Sequence, residues 1–263
     1  MPRFSAEYDV PAPQLRTVAS LVLPARRELA PEDDSEARSV VERYARSSLD
    51  SMKLWPPKSY FFSASRRCVI AYAVANKIAI ALGDPVGPET EIESTTRQFK
   101  KKCKESGWSI AMYRTGAGFL PLYRRLQLRK VKIGDEAIVD LAEFSLKGGS
   151  KRDIRSKARH FQQLGIHVTE YLPPVPSHIL AKLKNVEEEW LTIPGRRERT
   201  FAVGHFDLGY LRSTSVLAVI DSNENLLAFM NVIAVNKCEV AGDLIRRRKN
   251  APNGISLLAV RNE

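Results

Sequence analysis

The chain has 263 residues, of which 44% are hydrophobic and 8% aromatic, enough apolar material for one large packed domain or two smaller ones. Its formal net charge of +11 favours an anionic partner, such as nucleic acid, an acidic membrane surface or a phosphorylated ligand. The three cysteines (Cys68, Cys103 and Cys238) form no CxxC pair, and the four histidines lack metal-ligand spacing. This argues against a disulfide framework and a zinc site, and favours a reducing compartment.

The first half of the chain predicts a mixture of helices and strands. Residues 1–35 are rich in proline and charge, which is typical of a loosely ordered arm, and the N-terminal MPRFSAEYDV has no apolar core of the kind that a signal peptide needs. Asp34 and Ser35 are typical of a helix cap, and Asn76-Lys77 is typical of a hairpin turn. The most apolar stretch, 68–83, is too short to span a bilayer, so we expect a soluble chain. The predicted helices cover 36–48, 90–106 and 117–126, and the predicted strands cover 69–75, 78–82, 108–113, 127–133 and 136–140.

The second half continues the same alternation. The predicted helices cover 151–164, 176–191 and 206–212, and the predicted strands cover 166–171, 215–220, 226–235 and 238–245. No strand–GxGxxG–helix unit occurs, so the pattern indicates α/β or α+β layers and not a doubly wound nucleotide-binding sheet. Glycines at 134, 148 and 149 predict a domain boundary between residues 134 and 150.

A basic helix is predicted directly after that boundary. Ser150 can cap it, and helical spacing of about 100° per residue puts four apolar residues on one stripe. Those residues are Ile154, Ala158, Phe161 and Leu164. Four cations share the neighbouring face: Lys151, Arg152, Arg155 and Arg159. Such a face is either an ordinary solvated surface or a phosphate-binding one, and the sequence leaves both interpretations open.

The usual catalytic motifs are absent, and two short stretches are ambiguous on their own. No GxSxG elbow, HExxH, Walker loop or kinase signature occurs. The sequence RTGAG at 114–118 is one residue short of the pyrophosphate loop of acetyl-CoA-dependent N-acetyltransferases, so we interpret it as a strand-to-helix turn. The stretch DLIRRRKNAPNG at 243–254, taken alone, is typical of a solvated exit from a strand.

Several stretches together, in collinear order over about 55–263, carry a resemblance. They are YFFS at 60–63, ALGDPVGP at 81–88, KIGDEAIVDL at 132–141, the basic helix at 151–159, EWL at 189–191, Glu198 followed by FAVG at 201–204 and Phe206, AFxN at 228–231, DLIR at 243–246 and APNG at 251–254. In this order they resemble the catalytic domain of bacterial phosphatidylglycerol lysyltransferases, the aminoacyl-phosphatidylglycerol synthases.

The resemblance implies a tandem N-acetyltransferase-like (GNAT) fold of the α/β (α+β) class. We expect a flexible arm over 1–35, a first domain over 36–145, a basic linking helix over 146–165 and a second domain over 166–263. Family catalytic domains continue past the APNG stretch with further strands and a helix, so the second domain is expected to be incomplete. The multi-span flippase portion found in many relatives is also expected to be missing.

The resemblance further implies transfer of an aminoacyl group, lysyl by family name, from aminoacyl-tRNA to the glycerol hydroxyl of phosphatidylglycerol. No cofactor is expected, because the aminoacyl ester is already activated. The implied partners are aminoacyl-tRNA and an anionic phospholipid surface, with the protein at the inner face of the cell membrane and attached peripherally. Two alternatives remain open: a non-catalytic fragment that binds tRNA or anionic membranes, and an aminoacyl-tRNA-dependent transferase with another acceptor.

The site residues come from the same matched stretches. Asp243 is expected to hold the aminoacyl ammonium, and Arg246 to meet a phosphate or a developing oxyanion. Positions i and i+3 of a strand point to opposite faces, so the pair requires a bulge or turn. Arg247, Arg248 and Lys249 are expected to form an electrostatic rim. The expected substrate-binding residues are Gly204, Asn231, Glu198 and Asn253, although Asn253-Gly254 also suits a plain turn.

Overall fold

The computed structural model of the chain describes residues 31–55, 58–198, 201–234 and 239–256. It divides into two compact units, with the division between Asp135 and Glu136. Phe201 and Ala202 group with the first unit, although the residues on either side of this short segment belong to the second. The arm predicted over 1–35 lies outside the described residues up to residue 30.

The first unit is a four-stranded sheet with helices on both faces. Its strand order is β1-β2-β3-β4, antiparallel except for the parallel β3–β4 pair, which α3 connects by a crossover. The elements are α1 Pro31–Tyr44, α2 Ser48–Met52, β1 Ser59–Phe62, β2 Val69–Ala75, β3 Ile78–Leu82, α3 Glu89–Glu105, β4 Ser109–Tyr113, a 3₁₀ turn Ala117–Phe119 and α4 Leu120–Arg125.

Strand β2 shows why this sheet forms. Its side chains alternate, with Val69 packing in the cluster that includes α1, and Ile70 and Tyr72 packing in the cluster that includes Phe99 of α3. Asn76 and Lys77 both have positive φ, the backbone conformation that a tight two-residue hairpin requires. The predicted hairpin is therefore confirmed.

Two predictions for the first half are wrong. Helix α1 begins at Pro31 and not after Asp34-Ser35, because proline is compatible with the first helical position and the acidic residues 32–34 favour the first turn. The strands predicted over 127–133 and 136–140 do not form within the described residues. Ile138 is 88% exposed there, so the alternating apolar pattern has no buried face to make it a strand.

The second unit contains a fully antiparallel sheet with the order β5-β6-β7-β8. The predicted strands over 226–235 and 238–245 correspond to β7 and β8, and their predicted ends at 235 and 238 lie outside the described residues. The elements are a 3₁₀ turn Gly149–Lys151, α5 Arg152–Gln163, β5 His167–Tyr171, α6 Ser177–Leu191, α7 Leu208–Arg212, β6 Ser215–Ile220, β7 Leu226–Ala234 and β8 Val240–Arg247.

Helices cover both faces of this sheet. On one face, α6 and α7 pack against β6, β7 and Leu244 of β8. On the other face, Ala158 and Phe161 of α5 pack against Val219 and Ala228. The helix predicted to link the domains thus packs within the second unit. Leu164, predicted on its apolar stripe, is instead 49% exposed because α5 ends at Gln163.

Both units confirm the predicted mixed α/β class. Cys68 and Cys103 are buried and unpaired, whereas Cys238 lies outside the described residues. Across the described ranges, no helix is long and apolar enough to cross a membrane.

Gly87 supports a testable prediction about the first unit. Its φ is 157°, and an added Cβ would lie 2.6 Å from the backbone Cα of Cys68, a contact that only backbone movement can relieve. We expect Gly87→Ala to lower the free energy of unfolding by about 1–3 kcal/mol in chemical denaturation. Gly118→Ala is the control, because a Cβ there meets nothing within 4 Å. Equal stability of the two variants would contradict the close approach.

Candidate functional site

A bulge in β8 brings the two predicted site residues of that strand into one region. Met230 of β7 pairs with Ile245, whereas Val232 pairs with Gly242, so two residues of β8 lie opposite the single residue Asn231. This extra residue interrupts the alternation of side chains that a regular strand would impose. The predicted need for a bulge between Asp243 and Arg246 is confirmed.

Asp243 is a half-buried carboxylate surrounded by donors. The backbone N–H of Gly204 donates to both of its oxygens, at 2.9 and 3.0 Å, and the Tyr210 hydroxyl donates to Oδ2 at 3.0 Å. Burial raises the pKa of Asp243 above its ordinary value, while the two donors and the nearby Arg246 and His205 oppose that shift. The carboxylate is thus held in place but remains poorly solvated.

Asn231 fills the space opposite the bulge. Its side chain is fully buried, its Oδ1 accepts the N–H of Leu244 at 2.8 Å, and its Nδ2 donates to Thr214 Oγ1 at 3.3 Å. It also lies beside the Tyr210 hydroxyl. Asn231 therefore satisfies the backbone group that the bulge leaves unpaired, and this fixes the geometry around Asp243.

Tyr210 was not predicted from the sequence. It lies on α7, where the Asp207 side chain caps the helix by accepting the Tyr210 N–H at 2.8 Å. Burial, followed by the Asp243 charge, raises the pKa of Tyr210, so its hydroxyl remains a protonated donor. The sequence signal that could have identified Tyr210 is its position in a short helix that begins at the capping residue Asp207, only three residues after Gly204.

Arg246 is 8% exposed and already has a partner. Its Nε donates to Glu187 Oε2 at 2.5 Å, and its guanidinium lies 4.0 Å from the centre of the Trp190 ring. Glu187 and Trp190 both belong to α6, and neither was predicted as a site residue, although Trp190 lies in the EWL stretch at 189–191 that carries the resemblance. Complementary charge in the runs EEEW at 187–190 and RRRK at 246–249 was the signal that could have identified them.

Arg248 anchors the chain after β8. Its Nη1 donates to Glu189 Oε2 at 2.7 Å and its Nε to the Leu226 carbonyl at 2.7 Å, while the N–H of Lys249 donates to Glu189 Oε1 at 2.7 Å. Arg247 Nη1 donates to the Arg248 carbonyl at 3.2 Å. Arg248 is therefore more than the electrostatic rim that the sequence predicted.

The remaining predicted substrate-binding residues are placed differently. The Glu198 side chain accepts the N–H of Phe206 and so shapes the loop that carries Gly204. Asn253 is exposed in a turn, followed by Gly254 with φ of 85°. The structure thus brings together Gly204, Asn231, Asp243 and Arg246, with Glu198 supporting the loop, and leaves Asn253 in the turn.

The four cations of the basic face have unequal roles. Arg155 Nη1 donates to the Gly148 carbonyl at 2.7 Å and to the Leu146 carbonyl, and Lys151 Nζ lies 5.5 Å from the centre of the Phe144 ring. Both therefore hold the preceding loop against α5. Arg152 and Arg159 are exposed.

A similar arrangement occurs around Asp84 in the first unit. Its Oδ2 accepts the N–H of Gly116 at 2.8 Å, and its Oδ1 accepts the Tyr123 hydroxyl at 2.7 Å. Burial raises the pKa of Asp84 above its ordinary value. Gly116 lies in the RTGAG stretch, which the structure confirms as a strand-to-helix turn leading into α4.

Comparison with known proteins gives a consistent result. Residues 38–261 match the protein family described as phosphatidylglycerol lysyltransferase, C-terminal. The chain is 28% identical over 216 residues to the phosphatidylglycerol lysyltransferase of Staphylococcus haemolyticus, covering 82% of this chain and 26% of that protein. It is 29% identical over 201 residues to the phosphatidylglycerol lysyltransferase of Bacillus subtilis, covering 75% of this chain and 23% of that protein. The chain therefore spans about a quarter of the length of these relatives.

Two solved structures are similar over most of the chain. L-PGS from Bacillus licheniformis superimposes with a TM-score of 0.79 and 26% identity, covering 90% of this chain and 72% of that one. The C-terminal domain of a putative lysylphosphatidylglycerol synthetase from Agrobacterium fabrum gives a TM-score of 0.78 and 29% identity, covering 88% and 73%. These similarities confirm the predicted GNAT-like α/β fold.

The raised pKa of Asp243 makes a prediction about stability. Because folding favours the protonated carboxyl, its contribution to stability is fully present below the ordinary pKa of 3.8 and is lost as pH rises through the folded-state pKa. The Asp243→Asn variant has no carboxyl at this position and therefore lacks this pH-dependent contribution to stability. We therefore expect the free energy of unfolding of Asp243→Asn, relative to the unsubstituted chain, to increase as the pH rises from 3.5 to 7. A difference that is constant or falls over this range, measured by denaturation, would contradict the desolvation of Asp243.

Proposed function

The chain belongs to the phosphatidylglycerol lysyltransferase C-terminal family, and from that membership we propose that it transfers an aminoacyl group from aminoacyl-tRNA to a hydroxyl of phosphatidylglycerol. The names of the relatives indicate lysyl as the group transferred. The observation that carries the proposal is the half-buried carboxylate of Asp243, held by donors in a chain whose net charge is +11.

The proposed reaction exchanges one ester for another. The hydroxyl oxygen of phosphatidylglycerol forms a bond to the ester carbonyl carbon, and the bond from that carbon to the terminal ribose oxygen of tRNA breaks. The proton of the attacking hydroxyl ends on the ribose oxygen. Reactant and product esters have similar energies, so the protein needs only to position the reactants and stabilise the tetrahedral oxyanion. No cofactor enters the reaction.

Asp243 is proposed to bind the α-ammonium of the aminoacyl group. Its carboxylate has lost much of its water, and its closest donors are a backbone N–H and a hydroxyl, both uncharged. An ammonium placed against it would supply the missing opposite charge and favour the ionised form. The Gly204 N–H and the Tyr210 hydroxyl would keep the carboxylate oriented toward this ligand. Gly204, Asn231 and Glu198 then act by shaping the binding site.

Arg246 is proposed to act through electrostatics. The sequence suggested direct contact with a phosphate or an oxyanion, but burial between Glu187 and Trp190 favours a different role. Its positive charge lowers the pKa of Asp243 and so helps to keep that carboxylate ionised for an ammonium ligand. Arg246 is therefore proposed as a positioning residue, which acts on the substrate indirectly by keeping the Asp243 carboxylate ionised.

The partners are proposed from charge. Arg152 and Arg159 are exposed on α5 and available to the phosphates of tRNA, and Lys151 and Arg155 add positive charge next to them while holding the loop. The net charge of +11 also suits peripheral attachment to an anionic phospholipid surface. Replacing phosphatidylglycerol by a peptide or another lipid in a transfer assay distinguishes the proposed acceptor from the alternatives.

The first test removes the proposed ammonium-binding charge. Asp243→Asn keeps the shape of the side chain, and removal of a charge-assisted hydrogen bond of about 1.5–3 kcal/mol should slow transfer by roughly ten- to a hundredfold while the fold persists. The measurement is transfer of labelled lysine from lysyl-tRNA to phosphatidylglycerol vesicles. Arg247→Ala is the control, since Arg247 donates hydrogen bonds to the carbonyls of Arg248 and Lys249 and should lose far less activity. Equal reductions in the transfer rate of the two variants would indicate that residues 243–249 act only as a general basic patch, and would contradict a specific role for Asp243.

The second test concerns the exposed cations of α5. The double change Arg152→Glu and Arg159→Glu should weaken tRNA binding and flatten its dependence on salt by about one logarithmic unit for each phosphate that is no longer neutralised. Lys157→Glu on the same helix is the control, because at about 100° per residue Lys157 falls on another face of α5 from Arg152 and Arg159. Binding measured between 50 and 300 mM salt gives the slope, and an unchanged slope in the double variant would reject this face as the tRNA-binding surface.

A further inference from the structure

The first unit contains a carboxylate whose donors resemble those of Asp243. At both Asp84 and Asp243, a glycine N–H and a tyrosine hydroxyl donate to the carboxylate. Burial raises the pKa of both carboxyl groups. The charged groups around them differ, because those near Asp243 include the Arg246 guanidinium, whereas those near Asp84 include the Lys53 ammonium. A primary ammonium of the chain itself therefore acts on Asp84.

Lys53 is almost completely removed from water, with 1% of its surface exposed. A lysine is rarely buried unless it is paired, because its ammonium loses its hydration. The Nζ of Lys53 donates to Asp50 Oδ1, and its positive charge opposes the rise in the pKa of Asp84 that burial causes. Asp50 is itself fixed, since its Oδ2 accepts the N–H groups of Arg46 and Ser47 at 2.8 and 3.1 Å. Two backbone donors thus hold the carboxylate that binds the Lys53 ammonium.

Gly83 leaves room for this ammonium directly before Asp84. An added Cβ at Gly83 would lie 3.0 Å from Lys53 Nζ and 2.9 Å from Leu49 Cδ2, closer than ordinary van der Waals contact. Its φ of 64° also favours glycine. The Lys53 ammonium therefore lies against the backbone that leads into Asp84.

We propose that the first unit carries a closed counterpart of the Asp243 site, in which the Lys53 ammonium is a built-in ligand shared by Asp50 and Asp84. Lys53 supplies the N–H donors and the positive charge that an external amine would otherwise provide, so the unsubstituted chain does not bind an amine at Asp84. The comparison with Asp243 rests on the proposed function, whereas the occupancy of the Asp84 site by Lys53 does not.

Removal of the built-in ammonium should open the site to an external one. Lys53→Ala deletes the equivalent of propylammonium, so propylammonium chloride should raise the Tm of this variant by roughly 3–6 °C at about ten times its Kd. Tetramethylammonium chloride has the same charge but no N–H donor, and it should give no saturable rise. All measurements use the full chain with Asp243→Asn, so that the carboxylate of the second unit does not contribute. A selective rise with Lys53 intact, or equal effects of both salts on Lys53→Ala, overturns the proposal.

Two further variants test the cavity and the carboxylate separately. Lys53→Met is the matched control, because its uncharged side chain of similar length keeps the space filled, and propylammonium should have no selective effect on it. Adding Asp84→Asn to Lys53→Ala keeps the cavity but removes one carboxylate, so propylammonium should bind roughly ten- to a hundredfold more weakly. Equal responses of Lys53→Met and Lys53→Ala, or an affinity that does not change when Asp84 is replaced, overturn the proposal.

The outcomes separate this inference from the proposed function, because the measurement is stability and not transfer. If Lys53→Ala does not fold by circular dichroism, refolding is compared in the two salts. Recovery of the folded signal with propylammonium alone supports the built-in ligand, and absence of recovery overturns it. Lysyl transfer by the unsubstituted chain without selective rescue of Lys53→Ala overturns this inference and supports the proposed function. Selective rescue without transfer does the reverse.

Discussion

A half-buried carboxylate that has lost part of its water needs other donors, and the second unit is arranged around that requirement at Asp243. The loop before α7 supplies the Gly204 N–H, and α7 itself supplies the Tyr210 hydroxyl. The bulge in β8 turns Asp243 out of register, and the buried amide of Asn231 satisfies the backbone N–H of Leu244 beside it. Loop, helix and strand thus meet at one charge, and the proposed ammonium ligand would supply the opposite charge.

The acidic residues of α6 pair with basic residues at the end of β8 and directly after it, and this pairing gives the residues of the RRRK run at 246–249 different roles. Glu187 engages Arg246 inside the unit, while Glu189 binds Arg248 and the N–H of Lys249 at its edge. An arginine paired in this way carries its charge into the site without binding a phosphate itself. The stretch is therefore part of the site's architecture, and the exposed cations of α5 are better placed for a polyanion.

The sequence predicted the layers of the fold well, because periodic apolar residues in β2, β6 and α6 mark faces that are in fact buried. It failed over 127–140, where an alternating pattern around Ile138 has no packing partner. Asp243, Gly204 and Asn231 could be identified by resemblance, and the bulge followed from the spacing of Asp243 and Arg246. Tyr210 and Glu187 were missed, because their contacts join residues 33 and 59 positions apart in the chain, and the spacing and charge patterns around them do not by themselves specify which residues pair.

Asp243 is central to the proposed function, because its carboxylate is the proposed binding group for the ammonium of the aminoacyl substrate. The most direct measurement is the pKa of Asp243 itself, followed by ¹³C NMR of aspartate carboxyl carbons with and without saturating L-lysinamide, and assigned with Asp243→Asn. In the free chain the pKa should lie above the ordinary value of 3.8 because burial raises it. Bound ligand should lower it, since an adjacent ammonium favours the carboxylate. A pKa that is the same in both states would show that the ligand does not bind at Asp243 and would contradict this role.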